Sequence, residues 1–348
     1  MPLPNASFSS AILLATIDSL DSPHFLAPII AGAARSTRDR LIVVLFSRLF
    51  NVGHSPRSPV TAARRDSVAS VQSDAPALSR TESWDAVQSL LTYVYVQATS
   101  VAQNMDKILL NVDVLLRGYD QDLSEAAGEG VEVAFRIEGD SIPVPLPQSI
   151  ASVRTAWCMP GEQLSAPGTP LTVGDSLPST YPVVACGGTF DHLHAGHKIL
   201  LSMTAWIAEE KIIVGVTDDK LLVNKANKDL LESLPERIAR VRGFLEFFKP
   251  GLIYDVVPID DVYGPTGWDP NVQALVVSKE TLSGGAAVDK RRQEKQLPPL
   301  QTFVIDVISH TSHRLDDEDA ELLKKTKMSS TFIRQWISAN RVAHGVEG

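Results

Sequence analysis

The sequence predicts an α/β protein in two folded parts, a carboxy-terminal domain built on a five-stranded parallel sheet and a smaller α/β domain before it. Three observations carry this. From Tyr181 onward, five apolar runs alternate with helix-like stretches: "PVVAC", "KIIVGV", "LIYDVVPI", "ALVVS" and "TFVIDVI". Runs apolar on both faces and separated by helices belong in a parallel sheet covered on both sides. The first part also alternates strand-like and helix-like patterns, and 348 residues are enough for two domains with a real core.

Taken in order, "AILLATI" reads as a strand, "PHFLAPIIAGAAR" as a helix and "RLIVVLF" as a strand. Residues Asn51 to Ser83 hold seven serines, four arginines and no Phe, Tyr or Trp. Such a stretch buries too little surface to offset ordering entropy and is expected to be a disordered surface insertion. Within it "RRDSVAS" offers Ser67 to a basic-directed kinase. "WDAVQSLLTYVYVQ" resumes as a helix, followed by strand-like "KILLNVDVLL" and "VEVAFRI". Eight prolines between Glu138 and Pro182 suggest an extended connector with little regular structure. The expected division is therefore 1–137, a connector over 138–180, and 181–342. No internal repeat is visible in the sequence.

In the last part a helix beginning near Ala195 places Ile199, Leu200, Met203, Trp206 and Ile207 on one face. A second helix starts at Pro235, with Ile238, Val241, Leu245 and Phe248 along one side and "KPG" at its end.

A net charge of −9 and a pI near 5.4 argue against nucleic acid or an anionic membrane as the main partner. The cysteines, Cys158 and Cys186, exclude a disulfide framework and a Cys-rich zinc site, and Cys186 reads as a packing thiol. The first Lys or Arg is Arg35, unlike a secretory or transit leader, and the apolar run Leu41–Phe46 is too short to span a bilayer. A soluble cytoplasmic protein is expected.

The chemistry concentrates in "GGTFDHLHAGHK", Gly187 to Lys198, where the first strand of the sheet meets its helix. Ligands of parallel sheets sit at the carboxyl ends of the strands. Gly187 and Gly188 permit close backbone approach, and a helix amino terminus supplies unpaired N–H groups and a positive dipole end. His194 and His197, three apart, can face one side of the first turn and hold phosphate oxygens, whereas His192 is expected to face solvent. No third ligand stands beside the two histidines, so no metal site is expected. There is no Gly-Lys dipeptide and hence no P-loop, and no G-x-G-x-x-G.

"GTFDHLHAGH" resembles the H-x-G-H signature of the nucleotidyltransferase superfamily, and "GGTFDHLHAGHK" is similar to the eukaryotic and archaeal phosphopantetheine adenylyltransferases. "KMSSTFIR" (Lys327 to Arg334) resembles that family's S-S-T-x-I-R, and "DVYGPTGWDP" and "LVVSKETLSGGAAVDKRR" also look like it. The resemblance covers roughly 181–340. It implies a Rossmann-like domain that transfers AMP from ATP to 4′-phosphopantetheine, with Mg2+ accompanying ATP. It also implies His197 at the α-phosphate and His194 on the triphosphate. Thr189 and Phe190 would contact phosphate and nucleotide through hydroxyl and backbone. Lys225 is the candidate phosphate cation, with Lys220 and Lys228 close by. Ser329, Ser330 and Thr331 would take the β- and γ-phosphates, or simply cap the last helix. Arg334 would reach the same phosphates or pair with an acid. Tyr263 and Trp268 would wall the pantetheine arm, or belong to a plain Pro/Gly-rich loop.

Arg291 and Arg292 would steer a phosphate or form a solvated charge run, and "DDEDAE" (Asp316–Glu321) is expected to be a solvated loop. Without a P-loop no fused dephospho-coenzyme A kinase is expected, and other enzymes of the pathway are candidate partners. The alternatives are a cytidylyltransferase acting on a phospho-alcohol, whose second motif usually differs from "KMSSTFIR", and a catalytically idle scaffold.

Overall fold

A computed structural model describes residues 7–52, 78–163, 177–305 and 328–343. Its elements are β1 (Phe8–Thr16), α1 (Ala27–Ser36), β2 (Thr37–Phe46), α2 (Trp84–Asn104), β3 (Asn111–Arg117), β4 (Val133–Ile137), α3 (Gln148–Ala151) and β5 (Arg154–Cys158) in the first half. The second half holds β6 (Tyr181–Gly188), α4 (Ala195–Ile207), β7 (Ala208–Thr217), α5 (Leu234–Phe248), β8 (Ile253–Ile259), β9 (Ala274–Ser278), α6 (Leu282–Glu294), β10 (Gln301–Ile305) and α7 (Ser330–Ala343).

Both halves are five-stranded sheets, ordered β3-β2-β1-β4-β5 and β10-β9-β6-β7-β8. Every pairing is parallel. The apolar runs account for this, because Ala11–Ala15 and Leu41–Phe46 are fully buried and so have no face to give to water. Two expectations are corrected. The proline-rich stretch is no bare connector, for β5 lies within it and pairs with β4 from Val133↔Arg154 to Ile137↔Cys158. Prolines flank β5 without entering it, which leaves its ladder donors intact. The expected insertion also ends early, since Arg80 and Thr81 are packed. Thr81 N donates to Ser179 O (3.2 Å), and the Arg80 carbonyl accepts from Trp206 Nε1 (2.9 Å). Ser67, Asp316–Glu321 and Lys327 lie outside the described residues.

α5 begins with a capping box between Ser233 and Glu236, one residue before the expected Pro235 start. α4 is buried along its whole length from Lys198 to Ile207, more than one amphipathic face explains. The reason is that α2 of the first half packs against it, so one apolar core runs through both sheets. Phe50 meets Trp206 edge-on at 5.9 Å, and Trp84 lies 4.8 Å from Phe303. The buried Arg117 guanidinium crosses to the carbonyls of Phe247 (2.8 Å) and Phe248 (2.6 Å). Among the described residues no helix is long and apolar enough to cross a membrane.

Candidate active site

At the carboxyl end of β6 the backbone turns sharply into α4. Phe190 and His192 take left-handed conformations, φ +52° and +45°, which side chains other than glycine adopt at a cost of about 1 kcal/mol each. Buried contacts impose them. The Phe190 ring is fully buried. Asp191, also fully buried, accepts the Glu232 N–H at 2.9 Å and ion-pairs with the Arg334 guanidinium. His192 does not stand free in solvent as expected. Its N–H donates to Glu232 Oε2 (2.8 Å), and its Nε2 meets the Leu230 carbonyl at 2.8 Å.

With the turn fixed, His194 caps α4 and His197 follows one turn in, on the same side. Their rings stack with centroids 3.9 Å apart and planes 25° from parallel. Gly196 makes room for this, because a Cβ there would sit 3.2 Å from His194 Cε1. Phe190 supports the His197 ring at 5.3 Å. Burial pushes the His194 pKa down to about 4, against the pull of the Asp191 and Glu280 carboxylates. Burial and the neighbouring His194 push His197 well below the ordinary imidazole range. Both rings are therefore neutral at pH 7, and each carries one donor and one acceptor nitrogen. Neither Nδ1 has a partner among the described residues. Buried polar atoms are normally paired, so the stacked pair keeps unused hydrogen-bonding capacity. Beside it lie the free N–H groups and positive dipole end of α4, which favour anionic oxygens.

Gly187 and Gly188 close β6 as expected, and a Cβ on Gly188 would press on the Phe190 ring at 3.3 Å. The Thr189 carbonyl is held by Arg237 Nη1 at 2.8 Å. The same fully buried guanidinium holds the carbonyls of Thr217 (2.8 Å) and Glu232 (3.0 Å) and pairs with Asp219 at 2.5 Å. Arg237 thus ties the carboxyl ends of β6 and β7 together. Sequence reasoning missed it, although an arginine in the first turn of an apolar helix was a signal.

In the second motif, Ser329 accepts the Phe332 N–H at 3.2 Å, a plain cap. Ser330 donates to the Asp191 carbonyl at 2.7 Å, docking α7 on the turn. Thr331 stays exposed and touches Arg334 at 3.4 Å. Arg334 pairs with an acid, the second of its two expected roles, and is 1 % exposed. With its Nε on the Ala226 carbonyl as well, it holds the loop rather than a phosphate.

Lys225, Lys220 and Lys228 all stand exposed on the segment leaving the carboxyl end of β7. Trp268 lines a 270 Å³ cavity with Asp255, Asp260, Asp261 and Asp269, but Tyr263 is not among its lining residues. Tyr263 packs instead on the Val272–Leu275–Val288 cluster, with the Arg291 guanidinium 5.6 Å from its ring centroid. Arg292 steers no phosphate, for it is buried on the carbonyls of Pro298 (2.7 Å), Thr266 (2.6 Å) and Asp269 (3.0 Å). Cys186 is a buried thiol, its pKa pushed up by burial to about 12.

Residues 185–335 match a family model described as cytidylyltransferase-like. The phosphopantetheine adenylyltransferase of Saccharomyces cerevisiae is 43% identical over 160 residues, 46% of this chain and 50% of that protein. The chain therefore spans about half the length of the yeast relative. Those of Methanopyrus kandleri and Pyrobaculum aerophilum are 37% and 32% identical, over 35% and 44% of this chain and 76% and 89% of their own lengths. A solved structure of a protein of unknown function from Archaeoglobus fulgidus aligns with a TM-score of 0.32 at 26% identity, over 37% of this chain and 91% of that one, too low a score to inform the fold.

Proposed function

The chain belongs to the phosphopantetheine adenylyltransferase family, and from that premise we propose that it transfers AMP from ATP to 4′-phosphopantetheine, giving dephospho-coenzyme A and pyrophosphate. The observation that carries the reading is the neutral, stacked His194–His197 pair, set at the amino terminus of α4 and without a partner at either Nδ1 among the described residues.

A phosphate oxygen of 4′-phosphopantetheine forms a bond to the α-phosphorus of ATP as the bond from that phosphorus to the bridging oxygen breaks. The electron pair leaves with pyrophosphate. The nucleophile is already anionic near neutral pH, so no general base is required. What accelerates the step is alignment of two polyanions and stabilisation of charge on the α-phosphate and the leaving group. In this reading His197 donates to the α-phosphate as charge grows there, and His194 to the triphosphate. Free N–H groups at the starts of α4 and α7 add fixed dipoles. Lys225 supplies a mobile cation, and Thr331, exposed at the start of α7, offers a hydroxyl. Trp268 gives the pantetheine arm an apolar wall. The carboxylates around it would repel a phosphate, so the phosphate end must lie elsewhere.

Magnesium belongs to the substrate, as MgATP. Among the described residues no cluster of three His, Cys, Asp or Glu side chains is placed to hold a metal. We place the enzyme in the cytoplasm, with other enzymes of coenzyme A synthesis as candidate partners and no nucleic acid. Purified protein should release pyrophosphate only when ATP and 4′-phosphopantetheine are both present. Equal or faster turnover of CTP with phosphocholine or phosphoethanolamine would replace this reading with a cytidylyltransferase. Absence of all turnover would favour an idle scaffold.

A further inference from the structure

The two sheets agree beyond their strand order. β2 and β7 each span ten residues and follow a helix without an intervening residue. β3 and β8 each span seven, and β4 and β9 five. The registers coincide when β2 is laid on β7. Phe8↔Thr37 matches Tyr181↔Ala208, both ladders then slip at the same place, and Ser10↔Arg40 matches Val183↔Lys211. Ala11↔Val133 likewise matches Val184↔Ala274, and Val133↔Arg154 matches Ala274↔Gln301. This superposition puts Thr16 on Thr189 and Asp18 on Asp191, so "ATID" stands where the second half has "GTFD". Independent folds of one class share strand order, but a slip at the same place, with matching lengths in β2 and β7, β3 and β8, and β4 and β9, marks a duplication.

The chemistry is present once. Counting back from the helix–strand junctions, His197 falls on the buried Leu26 and His194 on Pro23. The place a phosphate would take is filled from within, because Asp140 accepts from Thr16 N (2.9 Å) and Thr16 Oγ1 (2.5 Å). A fixed carboxylate repels any second anion.

What the first half does supply is a grip on α4. Lys198, next to His197 and 3 % exposed, is a three-donor group. Its ammonium reaches Asn111 Oδ1 (2.5 Å), the Val112 carbonyl (2.6 Å) and Asp113 Oδ1 (2.6 Å). All three partners open strand β3 of the other half. Asp113 is braced in turn by Arg40 at 3.3 Å. Burial alone would raise the Asp113 pKa, but Lys198 and Arg40 outweigh it and hold the carboxyl below its ordinary range. Lys198 falls on Ala27 in the first half, so the hold runs one way.

We propose that the amino-terminal half is a chemically emptied copy of the catalytic fold, which serves the reaction by holding Lys198 on β3 and thereby fixing the first turn of α4. Asp113 is then a positioning residue for His194 and His197. This rests on the adenylyl-transfer reading, because misplacing a reacting group by about 1 Å can cost roughly 10²-fold in rate.

The test uses the full chain. Asp113→Asn should lower kcat roughly tenfold or more and leave the KM for ATP within about twofold, since the helix N–H groups still bind ground-state phosphate. Lys198→Met combined with Asp113→Leu should regain melting temperature without regaining kcat, because an apolar pair fills the space but fixes no direction. Asp140→Asn, in the emptied site, should leave kcat unchanged. Calorimetry should count one ATP per chain. Imidazole NMR gives a readout besides turnover, with His194 titrating near 4 in the wild type and higher in Asp113→Asn as water enters. Wild-type kcat in folded Asp113→Asn, full recovery in the double variant, or two ATP per chain would each overturn the proposal. If the wild type makes no dephospho-coenzyme A, the reaction reading falls, and an unmoved His194 titration would then be what refutes the positioning role.

Discussion

His194 and His197 set the expectations at the residue scale. If His197 acts on charge present only in the transition state, His197→Ala should lower kcat by roughly 10²–10³, about 3–4 kcal/mol, with ATP binding little changed and the pH profile intact. A near-normal kcat in a protein that melts like wild type would refute that role. Lys225→Ala should instead raise KM along with any rate effect, as expected of a cation on a ground-state phosphate. The same rings predict a pH dependence of stability. With a folded pKa of about 4, His194 binds fewer protons folded than unfolded between that value and the ordinary 6.5. Stability should be fully present above 6.5 and fall as pH drops through this window, by roughly 3 kcal/mol when His194 is fully charged. Urea midpoints from pH 7 to 4 would show it, and His194→Gln should flatten the fall. The pair was legible in the sequence because spacing alone puts positions three apart on one face. Its neutrality was not, since that depends on burial in the folded chain and on the close stacking of the two rings. Nor was the commitment of Arg334 to Asp191, two residues far apart in the chain.

At the scale of elements, α7 has an identifiable lock on the active-site turn. Asp191→Asn leaves the Arg334 guanidinium buried without its counter-charge, which should cost about 3–5 kcal/mol in chemical denaturation. A loss below 1 kcal/mol would mean that Ser330 and apolar packing hold the helix alone. The strands were mostly readable because those buried on both faces are continuous apolar runs. β5 was not, since its burial alternates weakly and prolines crowd its flanks. The full burial of α4 was equally hidden, because periodicity reports a helix's apolar face and not a second layer arriving from another domain. The duplication left almost no sequence trace. Parallel strands need only apolar, β-favouring residues, so two copies can keep their registers while sharing little beyond Thr16–Asp18 and Thr189–Asp191.

For the whole molecule, the continuous core predicts a single cooperative transition, and differential scanning calorimetry should show one peak rather than two. Replacing residues 53–77, which lack core-forming composition, with a short Gly/Ser linker should leave melting and turnover nearly unchanged. A fall of many degrees would show that this stretch packs. Joining both sheets in one chain also has a consequence for dilution. A contact such as Lys198 on β3, made between separate subunits, would be governed by their dissociation constant and fail in a sufficiently dilute cell. Within one polypeptide the partners meet at an effective concentration that does not change as protein becomes scarce. Specific activity carried by this contact should therefore stay constant on serial dilution, and an organism could keep very few copies of the protein without losing its alignment.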